Sequence, residues 1–307
     1  MPSKWTILCF ENNSKKNLIN YNQIYSILNE PNFLKRLINY DFVPKIICSF
    51  QDFENIYLVT NFLEGKSVEE YKDSIMSEEQ IKFISACVIQ SLIYLRKEKL
   101  IHRDIVMKNI IMDKDKYFNI IDFSYSIDYD KKNDSKKNII LNKDQSPPEI
   151  LNNLEYDYNS DYYRLGYAIY YLLFKRYPLK NQTNISELML EDILIKNKYS
   201  LYCIDFLNKL MVYDYKKRIG FNSITELLNH PWFKGFNWKN FEKKKMKSPF
   251  NFDILEPKAL KCNNFNYRFY FFSLKIKTLY KNISKSDDFK ILIQNYNYIN
   301  KKIIKIN

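Results

Sequence analysis

Residues 100–126 read "LIHRDIVMKNIIMDKDKYFNIIDFSYS". Two short apolar runs stand inside the stretch, "NIIMD" and "FNII", separated by a polar turn. Runs of this length and composition predict two strands joined by a tight turn. Such a hairpin returns Asp122 beside Asn109, one carboxylate next to one amide oxygen, and both are hard oxygen donors of the kind magnesium takes. Asp104, earlier in the stretch, is then free to orient a hydroxyl or accept its proton. Together the three side chains have the parts that phosphoryl transfer needs: a carboxylate at the acceptor and oxygen ligands for a metal on nucleotide phosphates.

The surroundings are helical. "SEEQIKFISACVIQSLIYLRKEK" (77–99) opens with Ser77 followed by Gln80, a capping-box pattern, and then places Ile81, Ile84, Val88, Leu92 and Leu95 on one face. "DYYRLGYAIYYLLF" (161–174) is apolar almost all round, which predicts a helix in the middle of a helical domain. Upstream, "WTILCF" (5–10) and "IYLVT" (56–60) read as strands, and 20–38 reads as a helical pattern broken at Pro31. The sequence therefore predicts an α+β protein, a small mixed first part followed by a mainly helical body from 77 to 245, with no internal repeat. Residues 131–138 read as a polar loop and 246–307 as an aromatic, lysine-rich tail.

At 307 residues, with 46% hydrophobic and 17% aromatic content, the chain can bury a sizeable core. Its net charge of +13 comes from scattered lysines without a nucleic-acid motif, so a solvated surface is expected and no nucleic acid partner. The five cysteines, Cys9, Cys48, Cys87, Cys203 and Cys262, lie far apart and form no C-x-x-C pair. Neither a disulfide framework nor a zinc site is expected, and a reducing, cytoplasmic compartment fits. No signal peptide or transmembrane segment is read from the sequence.

"H-R-D-x-x-x-x-N" followed by "D-F-S" resembles the catalytic loop and metal-binding motif of eukaryotic protein kinases. The similarity extends through "SPPEIL" (146–151), like the Ala-Pro-Glu motif, "SDYYRLGYAIYYLL" (160–173), like the Asp-x-Trp-Ser-Leu-Gly helix, and "DYKKRIG" (214–220). "NHPWFKGFNWKNFEKKKMKSPF" (229–250) and "CNNFNYRFYFFS" (262–273) resemble the end of the domain and the C-terminal tail of the AGC group. The resemblance implies a bilobal fold: an abbreviated small lobe over 1–63, a large lobe over 64–245 and an AGC-like tail over 246–307, of which 246–273 is expected to run along the small lobe. It implies a serine/threonine kinase using ATP with magnesium, or manganese, and a protein substrate. His102, Arg103 and Asp104 would form the catalytic loop, with Asp104 orienting the acceptor. Asn109 and Asp122 would hold the metal, and Phe265 and Tyr267 would be aromatics at the nucleotide cleft. Glu149 and Arg218 would form a buried ion pair, and Asp161 would brace the catalytic loop.

This sequence departs from the pattern in its first part. Its four glycines are at 65, 166, 220 and 235, so no Gly-rich loop precedes residue 65, and Leu8 stands where the small-lobe lysine belongs. Glu30 matches the helix glutamate that would pair with that lysine and face the nucleotide; without the lysine, a surface carboxylate is the alternative. Lys4, Lys15 and Lys16 are nearby substitutes. Val106 replaces a catalytic-loop lysine, Lys108 a substrate-binding glutamate, and Ser124 the metal-motif glycine, which predicts a stiffer hinge. Missing phosphate donors and a missing cation predict weakened nucleotide positioning. The reading is thus a kinase of reduced activity, with a pseudokinase acting as a binding or allosteric module as the alternative. Substrate and oligomeric state are not legible.

Overall fold

A computed structural model describes residues 8–14, 21–51, 55–131, 143–152, 154, 157–178, 199–251 and 298–299. In chain order the elements are β1 (Leu8–Ser14), α1 (Tyr21–Arg36), β2 (Ile46–Gln51), β3 (Asn55–Asn61), α2 (Glu78–Lys97), β4 (Leu100–Ile101), β5 (Ile110–Met112), β6 (Phe118–Ile120) and β7 (Ile127–Asp128). They continue as α3 (Pro148–Leu151), α4 (Tyr158–Phe174), α5 (Leu201–Leu210), α6 (Thr225–Leu228), α7 (Trp238–Glu242) and β8 (Tyr298–Ile299).

The small lobe is an antiparallel sheet in the order β1-β3-β2-β8, with α1 beside it. β1 and β3 pair from Leu8↔Asn61 to Ser14↔Asn55, and an irregularity lies between Ile46 and Cys48 in β2. Its outer edge is closed by β8, where Ile299 lies opposite Cys48 and Tyr298 opposite Ser49. The predicted break at Pro31 does not occur. α1 runs through Pro31 unbroken, because the proline ring is compatible with helical φ and Phe33, Leu34 and Leu37 just beyond it are buried in the core. An interior proline costs about 3 kcal/mol, and three buried apolar side chains at about 1.5–3 kcal/mol each outweigh it.

α2 forms as its sequence dictates. Ser77 and Gln80 exchange hydrogen bonds, Gln80 N–H to Ser77 Oγ at 3.2 Å and Ser77 N–H to Gln80 Oε1 at 2.9 Å. Glu78 and Glu79 sit in its first turn and Arg96 and Lys97 in its last, both favourable to the helix dipole. α4, capped by Asp157, crosses close to the end of α5: a Cβ on Gly166 would lie 2.7 Å from Met211 Cγ and 3.0 Å from Leu210 Cβ. Only a residue without a side chain allows that approach.

One hydrophobic cluster joins the lobes, taking in Leu37 and Leu58 above and Val88, Phe118, Leu165 and Phe206 below. Residues 244–250 stay on the large lobe. The Tyr117 hydroxyl donates to the Met246 carbonyl, the Ser248 hydroxyl donates to the Lys116 carbonyl at 2.8 Å, and Phe250 is buried against Phe83 and Phe118. The expected course of 246–273 along the small lobe therefore does not begin before residue 251. Residues 252–297, with Phe265 and Tyr267 among them, lie outside the described residues. So do Lys4, Lys15 and Lys16 and most of the 131–138 loop. No described helix is long and apolar enough to cross a membrane.

Candidate active site

β5 and β6 form the predicted hairpin, Ile110 opposite Ile120 and Met112 opposite Phe118. Asp113 shapes its turn by accepting the N–H groups of Asp115 and Tyr117 at 3.0 and 2.9 Å, while Lys116 takes the left-handed conformation. One further bond, Ile121 N–H to the Asn109 carbonyl at 2.9 Å, extends the pairing beyond the strands and returns the chain at Asp122 alongside Asn109. β4 and β7 pair around the other end of the same segment.

The loop 102–109 is held from beneath. Asp161, on α4, accepts His102 N–H at 2.8 Å and Arg103 N–H at 2.9 Å, which stabilises the left-handed φ of +67° at Arg103. Burial raises the Asp161 carboxyl to about 6, although both N–H bonds and the nearby Arg164 and Arg103 oppose the shift. His102 is its counterpart: burial drives the imidazole down to about 3. It is therefore neutral at pH 7, and its Nδ1 accepts Asp104 N–H at 3.2 Å while its ring packs edge-on against Phe123. The Arg103 Nε donates to the Tyr125 carbonyl at 2.5 Å.

Asp104 and Asn109 meet directly. The Asn109 Nδ2 donates to Asp104 Oδ2 at 2.8 Å and to the Asp104 carbonyl at 3.1 Å. Burial pushes the Asp104 carboxyl above the usual carboxylate range and Asp122 adds to the push; Arg164, Lys108 and the Asn109 amide work against it. Asp122 has φ +67° and its Oδ1 accepts both the N–H and the hydroxyl of Ser124. Ser124 thus restrains the metal-motif aspartate through its side chain, not only through lost backbone freedom. Among the described residues Asn109 Oδ1 and Asp122 Oδ2 make no hydrogen bond, and two unengaged oxygens suit a hard divalent cation. Among the described residues no group of three or more His, Cys, Asp or Glu side chains could hold a metal, so waters and phosphate oxygens would complete the coordination of an ion at Asn109 and Asp122.

Glu30 is not at the surface. It is 3% exposed, and its Oε1 accepts the N–H of Phe123, the residue after Asp122, at 2.7 Å. Burial of the Phe33 and Leu34 turn carries Glu30 inward with it. Glu149 and Arg218 form a two-pronged buried pair at 2.7 and 2.9 Å. The remaining Arg218 donors reach the Asn159 and Val212 carbonyls.

Beside Asp104 lies a cavity of about 320 Å³, lined among others by Val106, Lys108, Tyr125, Gln145 and Arg164. Sequence reasoning passed over Arg164. Its only signal was a single cation in the otherwise apolar run "LGYAIYYLL" and its flank, at the position where the resembled motif has serine.

The protein kinase domain family matches residues 7–233. A probable serine/threonine-protein kinase of Dictyostelium discoideum is 26% identical over 82% of this chain and 59% of its own length. Serine/threonine-protein kinase Sgk1 of Danio rerio is 26% identical over 80% of this chain and 58% of its own. RAC serine/threonine-protein kinase of Drosophila melanogaster is 24% identical over 77% and 40%. The chain thus spans roughly half the length of these curated relatives, which support the AGC-like resemblance. With the match covering most of its length and running from the small-lobe sheet through the catalytic loop and past α6 to residue 233, the chain belongs to the protein kinase domain family.

Proposed function

We propose that this chain transfers the γ-phosphoryl group of ATP to a serine or threonine hydroxyl of a protein, at a reduced rate. The observation that carries the reading is the fixed pairing of Asp104 with Asn109, and the return of Asp122 alongside by the β5–β6 hairpin. Asp104 orients the acceptor hydroxyl and takes its proton. Asn109 and Asp122 would hold magnesium or manganese through their unengaged oxygens, and the metal would supply positive charge against the phosphates. Glu30 contributes by fixing Phe123 and hence the backbone next to Asp122.

The reduced rate is assigned to Leu8, which stands at the lysine's place. Fewer donors on the phosphates mean poorer positioning, worth several kcal/mol, on the order of 10³-fold in rate. The test is a radiolabelled-ATP assay on the purified chain with magnesium or manganese, against Asp104→Asn and Asp122→Asn. Slow incorporation that both substitutions abolish is expected. If incorporation is absent and ATP with metal gives no thermal stabilisation, the reading fails and a non-catalytic binding role takes its place.

A further inference from the structure

Arg164 and Arg218 are the two largest fully buried side chains among the described residues, and they are satisfied very differently. Arg218 spends its donors on Glu149, Asn159 and Val212. Arg164 makes no hydrogen bond through Nε, Nη1 or Nη2, although all three are buried. Its one ion pair among the described residues is to Asp104 Oδ1, at 3.6 Å from Nη1, with 0% of its side chain exposed. A guanidinium serving only as a structural anchor is expected to look like Arg218, since a buried charge needs hydrogen bonds to offset its desolvation. The charge at this position lies next to Asp104, the carboxylate that the proposed function places at the acceptor.

The two oxygens of Asp104 are thus addressed from opposite sides. Asn109 holds Oδ2 by a hydrogen bond and Arg164 attracts Oδ1 from α4 beneath the cavity. During transfer the acceptor O–H proton passes to Asp104 as a new O–P bond forms and the bond from the γ phosphorus to the bridging oxygen of ADP breaks. That step needs the carboxylate held at a fixed angle within about half an ångström. We propose that Arg164 is a positioning residue for this step: it acts through Asp104, without touching substrate, and fixes the second oxygen of the base. The proposal rests on the phosphotransfer reading for its kinetic consequence, but the Arg164–Asp104 coupling it requires stands apart from that reading.

The experiment is a set of variants, Arg164→Met, Arg164→Lys, Asp104→Asn and Arg164→Met with Asp104→Asn, each checked for folding by circular dichroism. In the phosphotransfer assay Arg164→Met should lower kcat on the order of 10²-fold with KM for ATP within about twofold, and Arg164→Lys should recover part of the loss because it keeps the charge but not the planar fork. In thermal melts each single substitution should lower the melting temperature, and the double variant should recover most of the loss, because it removes both charges together. Melting losses that simply add overturn the proposal whatever the kinetics; so does an unchanged kcat, or a loss carried by KM for ATP. Should the wild-type chain transfer no phosphate, the proposed phosphotransfer function fails and the melting cycle alone decides the Arg164–Asp104 coupling. If Arg164→Met does not fold, Arg164→Lys replaces it in the same cycle.

Discussion

His102 and Asp161 are joined by a backbone hydrogen bond, both are buried, and they titrate in opposite senses. The imidazole falls from the usual 6.5 to about 3 and the carboxyl rises from 3.8 to about 6. For His102 the unfolded chain binds the extra proton, so its contribution to stability is present above the unfolded value and is lost as pH falls toward the folded one. For Asp161 the folded chain binds it, so the contribution is full below the unfolded value and is lost as pH rises through about 6. Over the shared window the two oppose each other and flatten the acid limb of the stability profile. Replacing His102 by Gln leaves Asp161 unopposed. Relative to wild type, His102→Gln should gain about 1.4 kcal/mol per pH unit on acidification from roughly pH 6.5 to roughly pH 4. Urea midpoints measured across that range check it, and parallel profiles for the two proteins would refute the assignment of a neutral buried His102.

At the scale of elements, the site depends on how closely the segment after β3 can approach β5. Gly65 N–H donates to the Met112 carbonyl at 2.9 Å and Met112 N–H donates to the Lys66 carbonyl at 3.1 Å. A Cβ on Gly65 would lie 2.6 Å from Met112 Cβ and 2.7 Å from its carbonyl oxygen. Backbone cannot swing aside as a side-chain tip can, so Gly65→Ala should displace β5, the strand leaving Asn109, and cost about 1–3 kcal/mol. Urea unfolding measures this, with Gly235→Ala as a comparison: a Cβ there meets nothing within 4 Å, and only its φ of +79° is strained. Equal losses at the two positions would mean that close approach is not what Gly65 provides. Legibility in the sequence divides along the same line, between local and long-range causes. The Ser77–Gln80 cap, the β5–β6 hairpin and the Glu149–Arg218 pair were legible, the first two because the residues that make them lie within a few positions, the last through the family resemblance. The helix through Pro31 was misread because its stability comes from Phe33, Leu34 and Leu37 entering a distant core. β2 and the two-residue strands β4, β7 and β8 gave no distinct periodic signal. The bond from Glu30 to Phe123 and the unsatisfied guanidinium of Arg164 exist only once α1 and α4 are placed, so spacing along the chain could not announce them.

For the molecule as a whole, the question is what holds α1, and with it Glu30, against the large lobe. Two kinds of contact compete for the credit. Arg36 pairs with Asp128 and Glu98 and donates to the Glu98 carbonyl, and Tyr40 donates to Glu98 at 2.7 Å and stacks on Tyr94. Opposite this polar clasp, Phe33, Leu34 and Leu37 are buried at 4%, 1% and 0% exposure in the cluster that continues through α2. The Arg36 side chain is 34% exposed, so solvent screens its ion pairs to about 0–1 kcal/mol each, whereas each buried apolar side chain contributes about 1.5–3 kcal/mol. The apolar face should therefore dominate. Leu37→Ala is expected to cost about 2–5 kcal/mol and to raise amide hydrogen exchange along α1, while α5, packed on α4 in the large lobe, keeps its protection. Arg36→Met should cost about 1 kcal/mol or less and leave α1 protected. Because Glu30 fixes the backbone beside Asp122, Leu37→Ala should also lose the proposed phosphotransfer under conditions where the large lobe remains folded. If instead Arg36→Met unprotects α1 and Leu37→Ala does not, the clasp rather than the core joins the lobes, and the small lobe is held by charges that salt can loosen.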